Sequence, residues 1–393
     1  MKNVYICDAT RTAIGSFGGG LSEVAAAELG RTVVKSILDK NNLSGNEVDE
    51  VLMGCILQAG LGQNIARQAA VNAGIPADKT ATTVNMVCGS GLRTVAMGAQ
   101  SIICGDAEVI IAGGAENMSR APYLLDKART GYRMGHGQIL DSMIYDGLTD
   151  IFNGYHMGIT AENLADKYNV SKQEQDEFAV LSQNKAEKAQ AEGKFSDEIT
   201  PVMIPQRKGD PIKFDTDEYI KKGVKIESLQ KVRPAFKKDG SVTAANASGI
   251  NDGAAAVLLS GDEGLKKYNL KPMAKIVSYA WHGCAPEIMG IGPVEAVKLA
   301  LKKAGWEHSE LDLIEANEAF AVQAISVNKE LGWDTSKVNV NGGAIALGHP
   351  VGASGTRILV TLIHEMKRRG VKKGLATLCI GGGMGIALCV ETV

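Results

Sequence analysis

Hydrophobic and polar positions along the first third of the chain follow two alternating patterns. Residues 4–9, 49–57 and 109–112 are short apolar runs of strand length. Between them, 23–41 has helical spacing, with apolar residues on one side at Val24, Leu29, Val33, Val34 and Leu38. Two further helices are predicted at 64–73 and 92–103. Strands that alternate with helices in this way indicate an α/β protein with a mainly parallel sheet covered on both faces.

A second α/β pattern follows residue 275 and repeats the first. Three of its segments match earlier segments at an offset near 265 (263 from 312 minus 49, 269 from 382 minus 113): 310–316 with 47–53, 338–341 with 82–85, and 375–382 with 109–114. Both members of the second pair, 82–85 and 338–341, are followed by a glycine-rich turn and then a helix. An offset that stays nearly constant over three elements predicts a duplicated α/β unit.

Residues 119–249 lie between the two copies and differ from both. They contain a polar helix at 172–192 and a charged run at 207–238, which taken alone indicates a solvated face. We therefore expect three parts: an N-terminal half at 1–118 completed by 250–271, an inserted loop domain at 119–249, and a C-terminal half at 272–393. The inserted domain is expected to lie over one end of the duplicated unit.

Composition narrows the functional classes. The chain has 393 residues, more than one hydrophobic core usually supports, and its net charge of −2 creates no field for nucleic acid or an anionic membrane. Its seven cysteines form no C-x-x-C pair, so neither a disulfide framework nor a structural zinc site is expected. The N-terminus reads directly as a strand, without a signal peptide, and no apolar run is long enough to span a bilayer. We expect a cytoplasmic protein.

One cysteine occupies a turn suited to nucleophilic chemistry. The segment 84–94 begins as an apolar strand, turns at Cys88 and continues as a helix. A cysteine near a helix N-terminus meets free backbone N–H groups and the positive end of the helix dipole, which favour its thiolate. Gly89 and Gly91 leave space for a substrate to approach the sulfur. A buried cysteine in a tight turn is the alternative that this segment alone leaves open.

Three more loops with polar residues follow predicted strands. Asn317 interrupts an apolar strand-to-helix junction, His349 lies among small residues before a proline, and Cys379 ends an apolar strand beside three glycines. Each has a simpler interpretation: a helix cap, a satisfied polar group and a core residue. The glycines at 352–355 could suggest a nucleotide loop, but no acidic residue follows about 20 positions later. Because the duplication puts these loops at equivalent strand ends, we expect them to converge with Cys88.

Together these segments resemble the thiolase family, and within it the biosynthetic acetyl-CoA acetyltransferases. The resemblance covers essentially the whole chain and rests on motifs in a specific order: Arg-Thr-Ala-Ile-Gly at 11–15, Val-Cys-Gly-Ser-Gly at 87–91, Ala-Gly-Gly-Ala-Glu-Asn-Met-Ser at 112–119, Asn-Glu-Ala-Phe at 317–320, Gly-His-Pro at 348–350, and Cys-Ile-Gly-Gly-Gly at 379–383. It implies duplicated α/β halves packed in layers (α-β-α-β-α), an inserted loop domain and a homotetramer.

The resemblance also implies a mechanism, the Claisen condensation of two acetyl-CoA molecules to acetoacetyl-CoA and CoA. Cys88 would carry the acetyl group and His349 would take its proton. The N–H groups of Cys88 and Gly381 would hold the oxyanion. Cys379 would then remove a proton from the second acetyl-CoA, whose enolate would be held by His349 and a water oriented by Asn317. No metal or organic cofactor takes part.

Residues matching the family's coenzyme A and substrate positions are Leu148, His156, Met157, Lys221, Ser228, Ala235, Phe236, Ala244, Ser248, Ala319 and Phe320. Lys221 stands where close relatives often have Arg, and a lysine cannot make Arg's bidentate contact with a phosphate. The segment 155–158, Tyr-His-Met-Gly, resembles members with short acyl substrates. The alternatives are a degradative 3-ketoacyl-CoA thiolase of broader chain length, a ketosynthase acting on a carrier protein, and a non-catalytic thiolase-like binding protein. The last should have lost Cys88, His349 or Cys379, and all three are present.

Overall fold

The computed structural model describes residues 2–393 and gives them sixteen strands and eleven α-helices. The strands are β1 (Val4–Arg11), β2 (Gly15–Ser16), β3 (Glu50–Gly54), β4 (Thr80–Val84), β5 (Val109–Asn117), β6 (Tyr123–Leu124), β7 (Leu140–Asp141), β8 (Thr149–Asp150), β9 (Tyr155–His156), β10 (Val202–Ile204), β11 (Ile212–Phe214), β12 (Asn251–Gly261), β13 (Ala274–Gly283), β14 (Leu313–Ala316), β15 (Lys373–Ile380) and β16 (Met384–Thr392). The helices are α1 (Ala26–Lys40), α2 (Ile65–Asn72), α3 (Ser90–Cys104), α4 (Met157–Tyr168), α5 (Lys172–Ala191), α6 (Ile226–Gln230), α7 (Asp262–Lys267), α8 (Pro293–Ala304), α9 (Ala321–Leu331), α10 (Ala344–Leu347) and α11 (Val351–Arg369).

Ten strands form one continuous sheet in the order β14-β15-β16-β13-β1-β12-β5-β3-β4, with β2 paired to β12. Its two halves join through β1 and β13, where only Tyr5 with Lys275 and Ile6 with Ala274 are in register. Each half contains one copy of the repeated pattern. The segments that matched across the duplication, β3 with β14 and β5 with β15, lie in opposite halves.

The prediction of a mainly parallel sheet is wrong. Among the described residues, the strands of the main sheet pair in parallel with each other only at β3–β4, β3–β5 and β14–β15. The long strands β12 and β16 run antiparallel to both of their neighbours in the sheet order. An apolar run shows that a strand is buried on both faces but carries no information about the direction of its neighbours.

The sheet halves and helices stack in five layers. In β5, Ile110 and Ala112 face a central core with α3 and α11, whereas Val109 and Ile111 face an outer core with α1 and α2. The other half repeats this arrangement, with α8 on its outer face and α11 again in the centre. Because α11 is covered on all sides, fifteen of its residues are buried. This is the α-β-α-β-α arrangement that the resemblance implied.

The two central helices cross closely because small residues meet at the crossing. A methyl group on Gly355 of α11 would overlap the backbone nitrogen of Leu92 in α3 and lie 2.9 Å from its Cβ. The N-terminal ends of α3 and α11 follow Cys88 and His349 directly. The close crossing therefore brings together the two loops that the sequence singled out.

Residues 119–249 contribute three helices, α4 to α6, and three short two-stranded ribbons with two to three residues per strand. A buried ionic cluster ties this segment to β1. Arg11 donates to Glu198 (Nε to Oε1, 2.7 Å) and makes a bidentate contact with Asp217 (2.7 and 2.9 Å), and all three side chains are buried. Within residues 2–393, no helix combines the length and the apolar character needed to cross a membrane.

Candidate active site

Cys88 lies on a strained turn between β4 and α3. Val87 before it has a φ of 45°, in the left-handed region that β-branched residues rarely adopt. Ser90 holds this turn: its hydroxyl donates to the Val87 carbonyl at 2.7 Å and accepts from the N–H of Met86 at 2.8 Å. The sulfur therefore projects from a rigid support into the space in front of α3.

Cys88 is half-buried, and the poor hydration of its sulfur makes the thiolate costly and raises the pKa of the thiol to about 11. The N–H groups of Gly381 and of Cys88 itself hydrogen-bond to the sulfur and lower this pKa, but they do not offset burial. The sequence-based expectation that backbone N–H groups favour the thiolate gives their direction correctly, but desolvation of the sulfur outweighs them. The donors predicted for an oxyanion are nevertheless both at the sulfur.

His349 is fixed at both its backbone and its ring. Its N–H donates to Asn251 Oδ1 at 2.9 Å, and its Nδ1 lies 2.6 Å from Ser354 Oγ. The ring is buried, which lowers the pKa of the imidazole to about 4, with a further contribution from the positive charge of Arg357. The imidazole is therefore neutral at physiological pH, in the state that accepts a proton.

Cys379 ends β15 and is fully buried, in a cluster that includes Met157, Ala319 and Phe320. Burial raises the pKa of its thiol well above the ordinary value, and the nearby sulfur of Cys88 raises it further. The second thiol therefore lies close to the first but behind the cavity surface.

Asn317 follows β14 and is 1% exposed. Its backbone N–H donates to the Thr377 carbonyl of β15 at 3.0 Å, whereas neither polar atom of its side chain bonds to any of residues 2–393. The helix that follows is capped at Phe320, so the simpler interpretation of Asn317 as a helix cap is wrong. A buried amide without a protein partner is suited to binding a water or a substrate oxygen.

A cavity of about 450 Å³ opens over Cys88. Eleven of the predicted site residues line it: Cys88, His349, Gly381, Leu148, His156, Met157, Phe236, Ala244, Ser248, Ala319 and Phe320. Five do not: Cys379, Asn317, Lys221, Ser228 and Ala235. Eleven further lining residues were not predicted: Ser16, Phe17, Val87, Met118, Gly147, Tyr219, Ala247, Gly249, Ile250, Met289 and Val351. Met118 lies in a motif already noted, but Phe17, Tyr219 and Met289 lie in segments without a local signal.

The outer wall of the cavity is aromatic. The ring of Phe236 stacks on His156, with centroids 4.6 Å apart, and meets the edge of Phe320 at 6.3 Å. Lys221 lies outside the lining, with its ammonium 5.7 Å from the ring of Tyr219, which does line the cavity. Among residues 2–393, no group of three His, Cys, Asp or Glu side chains could hold a metal ion.

Comparisons with known proteins agree with this geometry. The family profile described as "Thiolase, N-terminal domain" matches residues 4–263, and "Thiolase, C-terminal domain" matches 270–392. The chain is 62% identical to an acetyl-CoA acetyltransferase of Chromobacterium violaceum over 99% of both chains, and 58% identical to one of Cupriavidus necator over 100% of both.

Solved structures give the same result. The crystal structure of the Bacillus anthracis acetyl-CoA acetyltransferase superposes with a TM-score of 0.98 at 45% identity, and that of human mitochondrial 3-ketoacyl-CoA thiolase with 0.96 at 43%; each covers 100% of this chain and 99% of the other. The predicted fold class is thus confirmed. The chain belongs to the thiolase family of acyltransferases.

Proposed function

We propose that this enzyme condenses two acetyl-CoA molecules to acetoacetyl-CoA and CoA, and catalyses the reverse thiolysis, through an acetyl thioester on Cys88. The observation that carries the proposal is that Cys88, His349 and the N–H of Gly381 converge on one largely apolar cavity. The names of the relatives in Chromobacterium and Cupriavidus support acetyl-CoA as the substrate.

In the first half-reaction, neutral His349 takes the thiol proton as the Cys88 sulfur attacks the thioester carbonyl. Negative charge then develops on the carbonyl oxygen. The N–H groups of Cys88 and Gly381, which point at the sulfur in the free enzyme, are the donors available to this oxygen. Each such donor typically contributes roughly 3 kcal/mol to a transition state. CoA leaves, protonated by the imidazolium.

In the second half-reaction, Cys379 first gives its thiol proton to neutral His349 and then, as a thiolate, removes a proton from the methyl carbon of a second acetyl-CoA. Its burial suits this role, because a thiolate destabilised by its surroundings is a stronger base. The unpartnered amide of Asn317 would orient the water that holds the enolate oxygen together with His349. The carbon then attacks the acetyl group on Cys88, the bond from that group to the Cys88 sulfur breaks, and the departing thiolate takes the proton from the His349 imidazolium. None of these steps calls for a metal or organic cofactor.

Coenzyme A would enter along the aromatic wall formed by His156, Phe236 and Phe320, with its charged end near Lys221. Ser228 and Ala235, outside the lining, belong to the same proposed binding segment. Replacing Phe236 with Ala removes both ring contacts, so we expect the KM for acetyl-CoA to rise several-fold with a smaller change in kcat. An unchanged KM would argue against this entry path.

A short acyl group is supported by the packing around Gly381. A Cβ atom added to Gly381 would lie 3.2 Å from the side chain of Met157 and 3.3 Å from that of Val87. These side chains narrow the cavity next to Cys88. We expect Met157→Ala to increase thiolysis of an eight-carbon 3-ketoacyl-CoA relative to the four-carbon substrate. If the wild-type enzyme already prefers the eight-carbon substrate, the result would instead support the alternative function, a degradative 3-ketoacyl-CoA thiolase.

The remaining parts of the proposal concern organisation. Strand β12 pairs with β1 and β5, which supports a first half made of 1–118 and 250–271, beside an inserted domain at 119–249 and a second half at 272–393. A homotetramer is supported by large apolar side chains exposed between 123 and 152: Tyr123, Leu125, Met134, Ile139, Ile151 and Phe152. The seven free cysteines support a reducing, cytoplasmic location.

Intact-protein mass spectrometry after addition of acetyl-CoA tests the division of roles. We expect an acetyl adduct on the wild-type enzyme and on Cys379→Ser, and none on Cys88→Ser. Cys379→Ser should keep the adduct but form no acetoacetyl-CoA. An adduct that persists in Cys88→Ser, or its absence from Cys379→Ser, would contradict the assignment.

A further inference from the structure

The hydrogen bonds around Ser354 determine which nitrogen of His349 carries the proton. Ser354 Oγ lies 2.6 Å from His349 Nδ1 and 2.9 Å from the Pro350 carbonyl oxygen, and the Ser354 side chain is fully buried. The carbonyl can only accept, so the single hydroxyl proton lies between the two oxygens. Ser354 Oγ then has only lone pairs left for the ring. With the hydroxyl proton on the bond to Pro350, Nδ1 is the nitrogen that carries a proton and donates to Ser354.

The other ring nitrogen, Nε2, then carries no proton. A neutral imidazole has one N–H, so a proton on Nδ1 leaves Nε2 as an acceptor. His349 lines the same cavity as Cys88, and Ser354 of α11 occupies its Nδ1, so Nε2 is the ring nitrogen available to the cavity. We propose that Ser354 is a positioning residue that holds His349 in the tautomer whose Nε2 takes the proton of Cys88. This inference rests on the proposed function.

The hydrogen bond from Nδ1 to Ser354 can form in both the neutral and the protonated imidazole. When Nε2 has taken the thiol proton, Nδ1 still donates to Ser354, so the imidazole need not turn during the reaction. Without Ser354, the buried Nδ1 loses its acceptor, and the tautomer with a proton on Nε2 becomes competitive. In that tautomer the nitrogen facing the cavity is a donor and cannot accept the thiol proton.

A matched control is available in α9. Ser326 is fully buried, and its hydroxyl donates to the Val322 carbonyl four residues earlier at 2.8 Å, as Ser354 does to Pro350. Within residues 2–393, the Ser326 hydroxyl makes no hydrogen bond to a histidine ring. Ser326→Ala therefore removes the same kind of helix back-bond without touching His349.

The experiment measures the rate at which acetyl-CoA acetylates Cys88 in the wild type, Ser354→Ala, Ser354→Thr and Ser326→Ala. At neutral pH we expect Ser354→Ala to be slower by about 10- to 100-fold, as for loss of other orienting partners of histidine. Ser354→Thr, which keeps the hydroxyl, should retain most of the rate, and Ser326→Ala should match the wild type. KM for acetyl-CoA should change little.

The pH dependence separates orientation from structural damage. Near pH 10, hydroxide can ionise the thiol without the imidazole, so the defect of Ser354→Ala should narrow. The charged and titratable groups around the pair, Arg357, Glu116 and Cys379, are the same in every variant. Equal rates for Ser354→Ala and the wild type, a defect that is the same at both pH values, or an equal loss in Ser326→Ala would overturn the proposal.

A measurement on the wild type makes the test independent of any variant's folding. Nitrogen NMR of histidine-labelled enzyme, with His349 identified by its loss in His349→Asn, reports the protonated nitrogen directly. A proton on Nδ1 supports the inference and a proton on Nε2 refutes it. If the wild type forms no acetyl adduct at all, the proposed function fails, whereas a normal adduct with the wrong tautomer contradicts only the role of Ser354.

Discussion

The free enzyme is predicted to hold Cys88 and His349 as a neutral thiol and a neutral imidazole. With pKa values of about 11 and about 4, moving the proton from sulfur to nitrogen costs about 10 kcal/mol, at about 1.4 kcal/mol per pH unit. The attraction between the resulting charges returns only about 4 kcal/mol at close range and an effective dielectric constant of about 20. The neutral pair is therefore favoured by several kcal/mol.

Thiolate absorbance in the ultraviolet measures this directly. The signal is recorded for the enzyme and for Cys88→Ala without substrate, in a Cys104→Ala background that removes the exposed thiol. We expect no difference between the two at neutral pH and a difference that grows only as the pH approaches about 10 or above. A full thiolate signal at neutral pH, abolished by His349→Asn, would show a preformed ion pair and refute the reasoning.

Three further predictions concern stability. Arg11→Met leaves two buried carboxylates unpaired and should lower the free energy of unfolding in urea by about 3–5 kcal/mol, whereas Arg31→Met, at a partly exposed pair, should change it by less than about 1 kcal/mol. Gly355→Ala forces α3 and α11 apart and should cost at least about 1–3 kcal/mol, with slower acetylation; an unchanged melting temperature would contradict the close crossing. Because the pKa of His349 is about 4 when folded and about 6.5 when unfolded, only the unfolded chain binds a proton between these values, and this lowers the stability of the fold by up to about 3 kcal/mol as the pH falls through the range. The stability of His349→Asn should fall less over this pH range than that of the wild type. Identical curves of stability against pH for the two proteins would contradict this prediction.

The sequence specified the layered fold mainly through periodicity and repetition. The predicted helices at 23–41, 64–73 and 92–103 correspond to α1, α2 and α3, with ends that differ by at most three residues. The segments matched by the duplication, β3 with β14 and β5 with β15, lie in opposite halves of the sheet. Strand direction was beyond reach, since β12 is buried along its whole length and its side chains look the same from either end. Its antiparallel pairing depends on the route of the chain through the segment 119–249.

The site was predictable where a residue belongs to a motif and hidden where it depends on tertiary packing. Cys88 and His349 stand in glycine-rich strand-end loops, so their convergence followed from the duplicated topology. Phe17 and Tyr219 come from distant segments that meet only in the folded chain, and no local pattern marks them. The net effect on the pKa of Cys88 was also hidden, because the helix end is visible in sequence but the burial that outweighs it is not.

The poor hydration of both thiols, one half-buried and one fully buried, indicates where the site accepts negative charge. Cys88 and Cys379 each have a raised pKa, and Arg357, the buried cation that acts on His349, further disfavours a charged imidazole. The N–H groups of Gly381 and Cys88 do not stabilise a thiolate enough to offset its burial. A thioester oxygen placed against them would meet fixed dipoles that need no reorganisation. Negative charge is therefore more stable on the thioester oxygen of the substrate than on the sulfur of the resting enzyme. For this reason Cys88 loses its proton as its sulfur attacks the carbonyl.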